Sequence, residues 1–198
     1  MPPDTAHAIS RDDLFELPMR RYGGVVQSVD APGTLSQAMD DIRQERVIGL
    51  DTETRPSFRK GESHLPAIVQ VATARAVYII ALRVAETHPA LREILESPNI
   101  VKAGVALAHD LRTLKQRFEF AERNVLDLGH VARHNGSKQT GVRNLAGLYL
   151  GFRIPKGAST SNWAAPRLTS AQISYAATDA WVCRELYLKF KAEGWVRG

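Results

Sequence analysis

Short apolar runs bounded by turn-forming residues recur through the first half of the chain. Runs of about four to eight residues with Gly, Pro or Asp near their ends are typical of β-strands. They predict strands at 22–29, 47–50, 67–71, 76–80 and 100–103, with a hairpin turn at 73–75. The run 47–50 is apolar throughout, as expected of a strand that is covered on both faces.

Apolar residues at helical spacing lie between and after these strands. They predict helices near 34–44, 91–95, 111–118, 127–134 and 143–149. A last helix has the clearest start, because the segment from Thr169 to Gln172 fits a capping box. The buried face of that helix is marked by an apolar stripe of Ile173, Ala176, Ala180, Cys183, Tyr187 and Phe190. Strands with helices between and after them indicate an α/β domain.

The composition is that of an ordinary folded protein. The chain has 198 residues, of which 44% are hydrophobic and 24% charged, and this argues against disordered and fibrous classes. The single cysteine, Cys183, excludes an intrachain disulfide and zinc sites that need several thiolates. The chain has neither an apolar run of membrane-spanning length nor a signal-like N-terminus, so we expect an intracellular, cytoplasmic protein without a membrane partner. Residues 1–21 are expected to form an arm or a loosely docked extension, and 22–198 a single domain.

The charge balance favours a polyanionic partner without selecting one. The chain carries 26 basic and 21 acidic residues, a formal net charge of +5. A modest positive excess attracts nucleic acid among other polyanions, but an ordinary basic surface explains it equally well.

Two acids, Asp51 and Glu53, come directly after the apolar run 47–50. Because side chains alternate along a strand, both carboxylates are expected on one face at the carboxyl end of this strand. Two adjacent acids beside an apolar core repel each other, so one takes up a proton or a cation lies between them. Oxygen ligands of this kind suit Mg²⁺ or Mn²⁺. Acids at strand ends are nevertheless common without a metal, so this pattern alone leaves both interpretations open.

Further candidate acids lie on two predicted helices. Tyr175 and Asp179 are four residues apart in the last helix, one turn above the other at the edge of its apolar stripe. Asp110 begins a helix a few residues after the strand 100–103. Each has a simple structural alternative: a tyrosine and a solvated acid at the margin of the core for the pair, and an acid in a helical first turn for Asp110.

Three motifs in combination resemble the ribonuclease D and Werner-type 3′–5′ exonucleases, a branch of the DEDD superfamily. The first motif is Ile48-Gly49-Leu50-Asp51-Thr52-Glu53-Thr54, the second runs from Lys102 through Asp110 to Leu114, and the third is Tyr175-Ala176-Ala177-Thr178-Asp179-Ala180. The resemblance extends from about residue 22 to about residue 190. It implies a ribonuclease H-like α/β fold, with a central mixed β-sheet flanked by α-helices.

The resemblance also implies the chemistry of the site. In such enzymes four carboxylates hold two divalent cations, Mg²⁺ or Mn²⁺, and here they correspond to Asp51, Glu53, Asp110 and Asp179. Tyr175 takes the position that defines the tyrosine (DEDDy) branch, where its hydroxyl would orient the attacking water. The expected reaction is metal-dependent hydrolysis of phosphodiesters from the 3′ end of RNA or DNA, with release of nucleoside 5′-monophosphates. The alternative is a catalytically weak nucleic-acid-binding module within a processing assembly.

Substrate contacts are predicted at Thr52, Thr54, Arg55, Lys156, Asn162 and Trp163. Trp163 is expected either to support a base or to anchor its loop in the core. Further basic residues that could contact phosphates are Arg59, Lys60, Arg143, Arg153 and Arg167, although most lysines and arginines in loops are simply solvated. The sequence leaves the oligomeric state and the choice between RNA and DNA open.

Overall fold

The computed structural model describes residues 7–57, 59, 61–157 and 160–196, and a mixed six-stranded β-sheet runs through them. The strand order is β1-β4-β3-β2-β5-β6. Strands β2, β3 and β4 pair antiparallel, whereas the pairs β1–β4, β2–β5 and β5–β6 are parallel. The strands are β1 (Val25–Val29), β2 (Val47–Thr54), β3 (Pro66–Ala72), β4 (Ala76–Ala81), β5 (Val101–Gly104) and β6 (Val125–Asp127).

Helices cover both faces of the sheet. They are α1 (Arg11–Glu16), α2 (Pro32–Ile42), α3 (Thr87–Glu96), α4 (Leu107–Leu114), α5 (Leu128–His134), α6 (Val142–Leu145) and α7 (Ser170–Ala192), with a π-helical turn at Ala146–Leu150. One face packs against α2, α3 and α4, and the other against α5, α6 and α7. The buried strand β2 serves both layers, because Ile48 and Leu50 point to the first and Val47 to the second.

Helix α7 lies in direct contact with β2. A Cβ atom at Gly49 would overlap the carbonyl oxygen of Ala180, so only glycine permits this approach. Ala176, Ala177 and Ala180 are fully buried between the helix and the sheet. The predicted capping box is confirmed: the Thr169 hydroxyl accepts from the Gln172 backbone N–H, and the Gln172 side chain accepts from that of Thr169. The capping box thus fixes the start of α7, and the contact of Gly49 with Ala180 fixes the distance of α7 from β2.

The N-terminal segment 7–21 packs against the part of the chain that contains residues 137–153. His7 forms an isolated bridge with Ser137, and Met19 forms another with Arg153. Side chains of Leu14, Ile9 and Leu17 lie over Gly147 in the π-helical turn. Residues 1–6 lie outside the described part of the chain, and the domain boundary after residue 21 remains a prediction.

The structure corrects several predicted element bounds. Strand β1 begins at Val25 instead of residue 22, because the backbone N–H of Tyr22 donates to the Thr178 hydroxyl of α7 and so turns away from the sheet. Helix α4 ends at Leu114, and Phe118 packs from the following turn. The predicted helix 143–149 is α6 followed by the π-helical turn, and the short edge strand β6 precedes α5. In the described residues, no helix combines the length and apolar character needed to cross a bilayer.

Candidate active site

Asp51 and Glu53 lie in the carboxyl-terminal half of β2, on the face that meets α7. The alternation of β2 sends both carboxylates to the side on which Gly49 contacts α7. Glu53 is only 9% exposed. The sequence prediction of two acids on one face at the carboxyl end of this strand is therefore confirmed.

Tyr175 and Asp179 reach the same place from α7. They stand one turn apart, and the Tyr175 hydroxyl donates a hydrogen bond to the Asp179 carboxylate. Carboxylate oxygens of Asp51, Glu53 and Asp179 lie within 4.8 Å of one another. Groups more than 120 residues apart in the sequence thus form one cluster.

Asp110 completes the wall of the cavity from the first turn of α4. Helix α4 begins directly after Ala106, which has a left-handed φ of 59°. Its first N–H, that of Leu107, donates to the Asp127 carboxylate at 3.2 Å, and the same carboxylate accepts from Gly129 of α5 at 2.9 Å. Asp127 therefore ties the start of α4, and with it Asp110, to the start of α5.

These side chains surround a cavity of about 260 Å³. Its walls are formed by Asp51, Thr52, Glu53, Val105, Asp110, Val142, Tyr175, Asp179 and Cys183. All five residues that the sequence assigns to catalysis thus line a single cavity.

Burial and mutual repulsion perturb the ionisation of the cluster. Burial, and then the Asp51 charge, raises the pKa of Glu53 to about 9. Burial also raises the pKa of Asp51, with further contributions from Asp179 and Asp110. The pKa of Asp179 rises to about 6 through burial, against opposing effects of the Tyr175 hydroxyl and the Arg143 charge. Burial raises the pKa of Asp110, which the Thr52 hydroxyl and His109 counteract. The cluster cannot carry its full negative charge unless a cation compensates it.

The donor set fits a divalent cation of the Mg²⁺ or Mn²⁺ type. Asp51, Glu53 and Asp179 offer only oxygen atoms, close enough together to share an ion. The raised pKa values of Asp51 and Glu53 reflect buried and mutually repelling carboxylates, and a bound cation would offset that repulsion. The nature of the site thus agrees with the kind of cofactor that the motifs imply, and Asp110 lines the same cavity.

Tyr175 is held in its protonated form. Burial is the main cause of its raised pKa, and the carboxylates of Asp179, Glu53 and Asp51 add to it. The backbone of Gly157 lies against the Tyr175 ring so closely that a Cβ at residue 157 would overlap the ring atoms. The hydroxyl is therefore a fixed hydrogen-bond donor at the edge of the cavity.

The predicted substrate contacts differ in position. Thr52 lines the cavity, Thr54 is half-buried at the end of β2, and Arg55 and Lys156 are exposed. Asn162 organises its own loop: its side chain accepts from Ala164 N–H at 3.2 Å, and its carbonyl accepts from Gln172 at 3.2 Å.

Trp163 is only 1% exposed and packs against Ile68, Ile79 and Ala176. Its ring centroid lies 6.1 Å from that of Tyr175. This burial favours the loop anchor over the base contact, because neither face of the indole is open to a ligand.

The additional basic residues also separate into groups. Arg143 lies close enough to Asp179 to lower the pKa of that acid. Arg153 instead holds the N-terminal segment, with its Nε donating to the Leu17 carbonyl at 3.0 Å and its guanidinium 4.6 Å from the centroid of the Phe15 ring. Arg59 and Arg167 are exposed, and Lys60 lies outside the described residues.

Sequence reasoning missed three residues that shape the site. An aspartate between a strand and a helix signals an N-cap, so Asp127 could have been identified as a helix cap, although not its bond to α4. No local sequence signal marks Gly157, because glycine is needed there only to accommodate the Tyr175 ring, 18 positions away. Arg21 lies in the segment that was expected to be a loose arm, but it lines a groove beside Tyr175.

Comparison with known proteins assigns the family. A family model described as 3′–5′ exonuclease matches residues 26–195, which is most of the chain. The chain belongs to the 3′–5′ exonuclease family. The resemblance that the three motifs indicate is confirmed.

Individual relatives agree with this assignment. The chain is 30% identical over 149 residues to ribonuclease D from Haemophilus influenzae, covering 73% of this chain and 36% of that protein. It is 29% identical over 181 residues to exonuclease 3′–5′ domain-containing protein 2 from Drosophila melanogaster, covering 87% of this chain and 30% of that protein. The chain therefore spans about a third of the length of these curated relatives.

A solved structure confirms the predicted fold class. The EXO domain of Nibbler from Aedes aegypti superposes with a TM-score of 0.79 at 23% identity, over 88% of this chain and 92% of that domain. The chain thus has the ribonuclease H-like architecture that its motifs imply.

Proposed function

We propose that this chain is a DEDDy-type 3′–5′ exonuclease that hydrolyses phosphodiesters one at a time from the 3′ end of nucleic acid, depends on two divalent cations, and releases nucleoside 5′-monophosphates. The observation that carries the proposal is the convergence of Asp51, Glu53 and Asp179 within 4.8 Å, in a chain of the 3′–5′ exonuclease family. Asp110 and Tyr175 on the walls of the same cavity support it.

Each part of this chemistry has a candidate group in the cavity. Two divalent cations held by such carboxylates supply Lewis acidity and lower the pKa of bound water. Asp51, Glu53 and Asp179 would hold the cation nearest the nucleophile, and Asp51 and Asp110 the cation nearest the leaving oxygen. Because these acids crowd one another without a cation, binding a cation relieves their mutual repulsion.

Tyr175 positions the attacking water rather than removing its proton. A tyrosine whose pKa is raised by burial keeps its O–H at neutral pH and is therefore a poor base. Its hydrogen is donated to Asp179 and its ring is held by the Gly157 backbone, so the hydroxyl oxygen has a fixed position from which it accepts a hydrogen bond from the attacking water.

The decisive experiment follows the shortening of single-stranded oligonucleotides that have a free 3′-OH. RNA and DNA 12-mers, labelled at the 5′ end, are incubated with Mg²⁺, with Mn²⁺ or with EDTA. We expect a ladder that shortens by one nucleotide at a time with metal and none with EDTA, and nucleoside 5′-monophosphates on chromatography. A 3′-labelled 12-mer should release its label as a mononucleotide from the earliest time point. Uncut RNA and DNA with both metals would overturn the proposal.

Carboxylate variants connect this activity to the cavity. Asp51→Asn and Asp179→Asn should abolish the ladder and keep the fold, because each removes one charge from a crowded cluster. Asp12→Asn is the matched control, since Asp12 is an exposed acid of α1. A binding module without catalysis would instead retain the 12-mer uncut in every variant.

A further inference from the structure

A second depression lies next to the carboxylate cavity, and it is the larger of the two. This groove has a volume of about 610 Å³ and is lined by Arg21, Lys156, Gly157, Ser174 and Tyr175, among others. Tyr175 also lines the carboxylate cavity, so one side chain forms a wall of both. The two depressions are therefore neighbours that share a wall at Tyr175.

The two depressions differ in charge. Asp51, Glu53, Asp110 and Asp179 make the cavity acidic, whereas the charged residues among the described lining of the groove are Arg21 and Lys156. Both are exposed, and neither side chain has a hydrogen bond or an ion pair with another described residue. Ser170 and Ser174 add hydroxyl groups from the first turns of α7. Two unpaired cations with neighbouring hydroxyl donors form a surface that suits phosphate groups.

Arg21 is held over the groove by a backbone strap, residues 17–22. The N–H of Arg153 donates to the Pro18 carbonyl at 3.0 Å, and the N–H of Arg20 donates back to the Arg153 carbonyl at 2.9 Å. On the other side, the N–H of Tyr22 donates to the Thr178 hydroxyl at 3.1 Å. Because the residues before and after it are both bonded to the domain, Arg21 has a fixed backbone position.

A strand bound for exonucleolysis needs such a surface. The cavity of about 260 Å³ must hold the reacting phosphate and its cations, so the remainder of the strand extends outside it. Phosphates are repelled by uncompensated carboxylates and attracted by lysine and arginine. The groove offers the attraction immediately beside the catalytic tyrosine.

We propose that this groove binds the sugar-phosphate backbone of the strand that remains after cleavage, on the 5′ side of the scissile bond, through Arg21 and Lys156. This inference rests on the proposed exonuclease activity. It assigns a substrate-binding role to the strap, since residue 21 lies outside the range 26–195 that the family model matches.

The test compares two substrates with the full-length chain. A DNA 12-mer reaches the groove, whereas the p-nitrophenyl ester of thymidine 5′-monophosphate has only a terminal nucleotide and an aryl leaving group. The variants are Arg21→Gln and Lys156→Gln. Arg20→Gln is the matched control, because Arg20 is the neighbouring exposed arginine and its guanidinium lies over the Phe152 ring, 5.4 Å from the centroid.

For each groove variant we expect KM of the 12-mer to rise about eightfold at 50 mM KCl, with kcat unchanged. One lost phosphate contact lowers the salt slope of log(kcat/KM) by about 0.7 for a single strand, which amounts to about eightfold over the range from about 1 M salt down to 50 mM. Hydrolysis of the nitrophenyl ester should stay within about twofold of the parent in both variants. The Arg20→Gln control should keep the salt slope of the parent.

The outcomes separate this inference from the proposed function. If the parent protein hydrolyses neither substrate, the proposed function fails. If the parent hydrolyses both and the groove variants match Arg20→Gln, the groove assignment fails alone. If both substrates are affected equally, the groove holds the departing nucleotide or supports the fold, and the assignment to the remaining strand is wrong.

Discussion

Replacing Glu53 by glutamine is expected to stabilise the metal-free protein, although it removes a candidate metal ligand. Glu53 is 9% exposed and has a pKa of about 9 in the folded protein, against 4.5 for an ordinary glutamate. At neutral pH the folded state must therefore either keep a proton on this carboxyl or bury its charge. Glutamine has nearly the same shape and nothing to titrate.

The size of the effect follows from proton linkage. Because the folded pKa lies above the unfolded one, the folded state binds more protons between the two values, and stability falls as pH rises. The contribution of Glu53 is fully present below pH 4.5 and is lost progressively as pH rises towards 9. The slope in this window is about 1.4 kcal/mol per pH unit, so the stability difference between Glu53→Gln and the parent should widen by about 3 kcal/mol from pH 5 to pH 7.

Urea unfolding in EDTA at pH 5 and pH 7 measures this difference directly. For a domain of this size, a change of 3 kcal/mol corresponds to a shift in Tm of about 6 to 12 °C. Adding Mn²⁺ at about 100 times its Kd should raise the stability of the parent by about 2.7 kcal/mol per site and that of the variant by less. The metal should therefore reduce or reverse the advantage of glutamine.

Two results would refute this reasoning. One is a difference between variant and parent that is the same at pH 5 and pH 7. The other is an equally large pH dependence in the control Glu16→Gln, which changes an exposed glutamate at the end of α1. Either result would mean that the Glu53 carboxyl is not confined in the charged cluster that the distances indicate.

Three further substitutions test the positioning of Tyr175 and the charge near Asp179. Tyr175→Phe should lower kcat about 10²-fold with little change in KM, because the water loses the hydrogen-bond partner that orients it; a rise in KM by the same factor with kcat unchanged would contradict this. Gly157→Ala should also lower kcat about 10²-fold by displacing the ring, and combining it with Tyr175→Phe should cost nothing more; additive losses would contradict a shared cause. Arg143→Gln removes a charge that lowers the pKa of Asp179, so the acidic limb of the pH profile of kcat/KM should move to higher pH; an unmoved limb would contradict the coupling.

Local sequence signals were sufficient where a single element decides the outcome. The capping box at Thr169 and Gln172 lies within four residues, and it begins α7 where predicted. The alternation of β2 likewise sends Asp51 and Glu53 to one face. Neither signal shows that the two elements meet, and that expectation came from the order of the three motifs.

Features that depend on distant contacts escaped prediction. Strand β6 has only three residues and exists because β5 offers it a parallel partner. Tyr22 lies in a stretch of sequence that is typical of a β-strand. Its backbone N–H nevertheless donates to the hydroxyl of Thr178, 156 positions away. Gly157 is required by the Tyr175 ring, and the groove exists only after the strap has crossed residue 153. Such requirements are properties of packing, which periodicity along the chain does not encode.

The strap has a practical consequence for work with shortened fragments. A fragment trimmed to 26–195 would keep every carboxylate of the cluster and would also keep Lys156. It would lose Arg21 together with the bond from Tyr22 to α7, the helix that carries Asp179. Weak digestion of long substrates by such a fragment would then result from the missing residues before 26. Its hydrolysis of a mononucleotide ester would still measure the function of the carboxylate cluster.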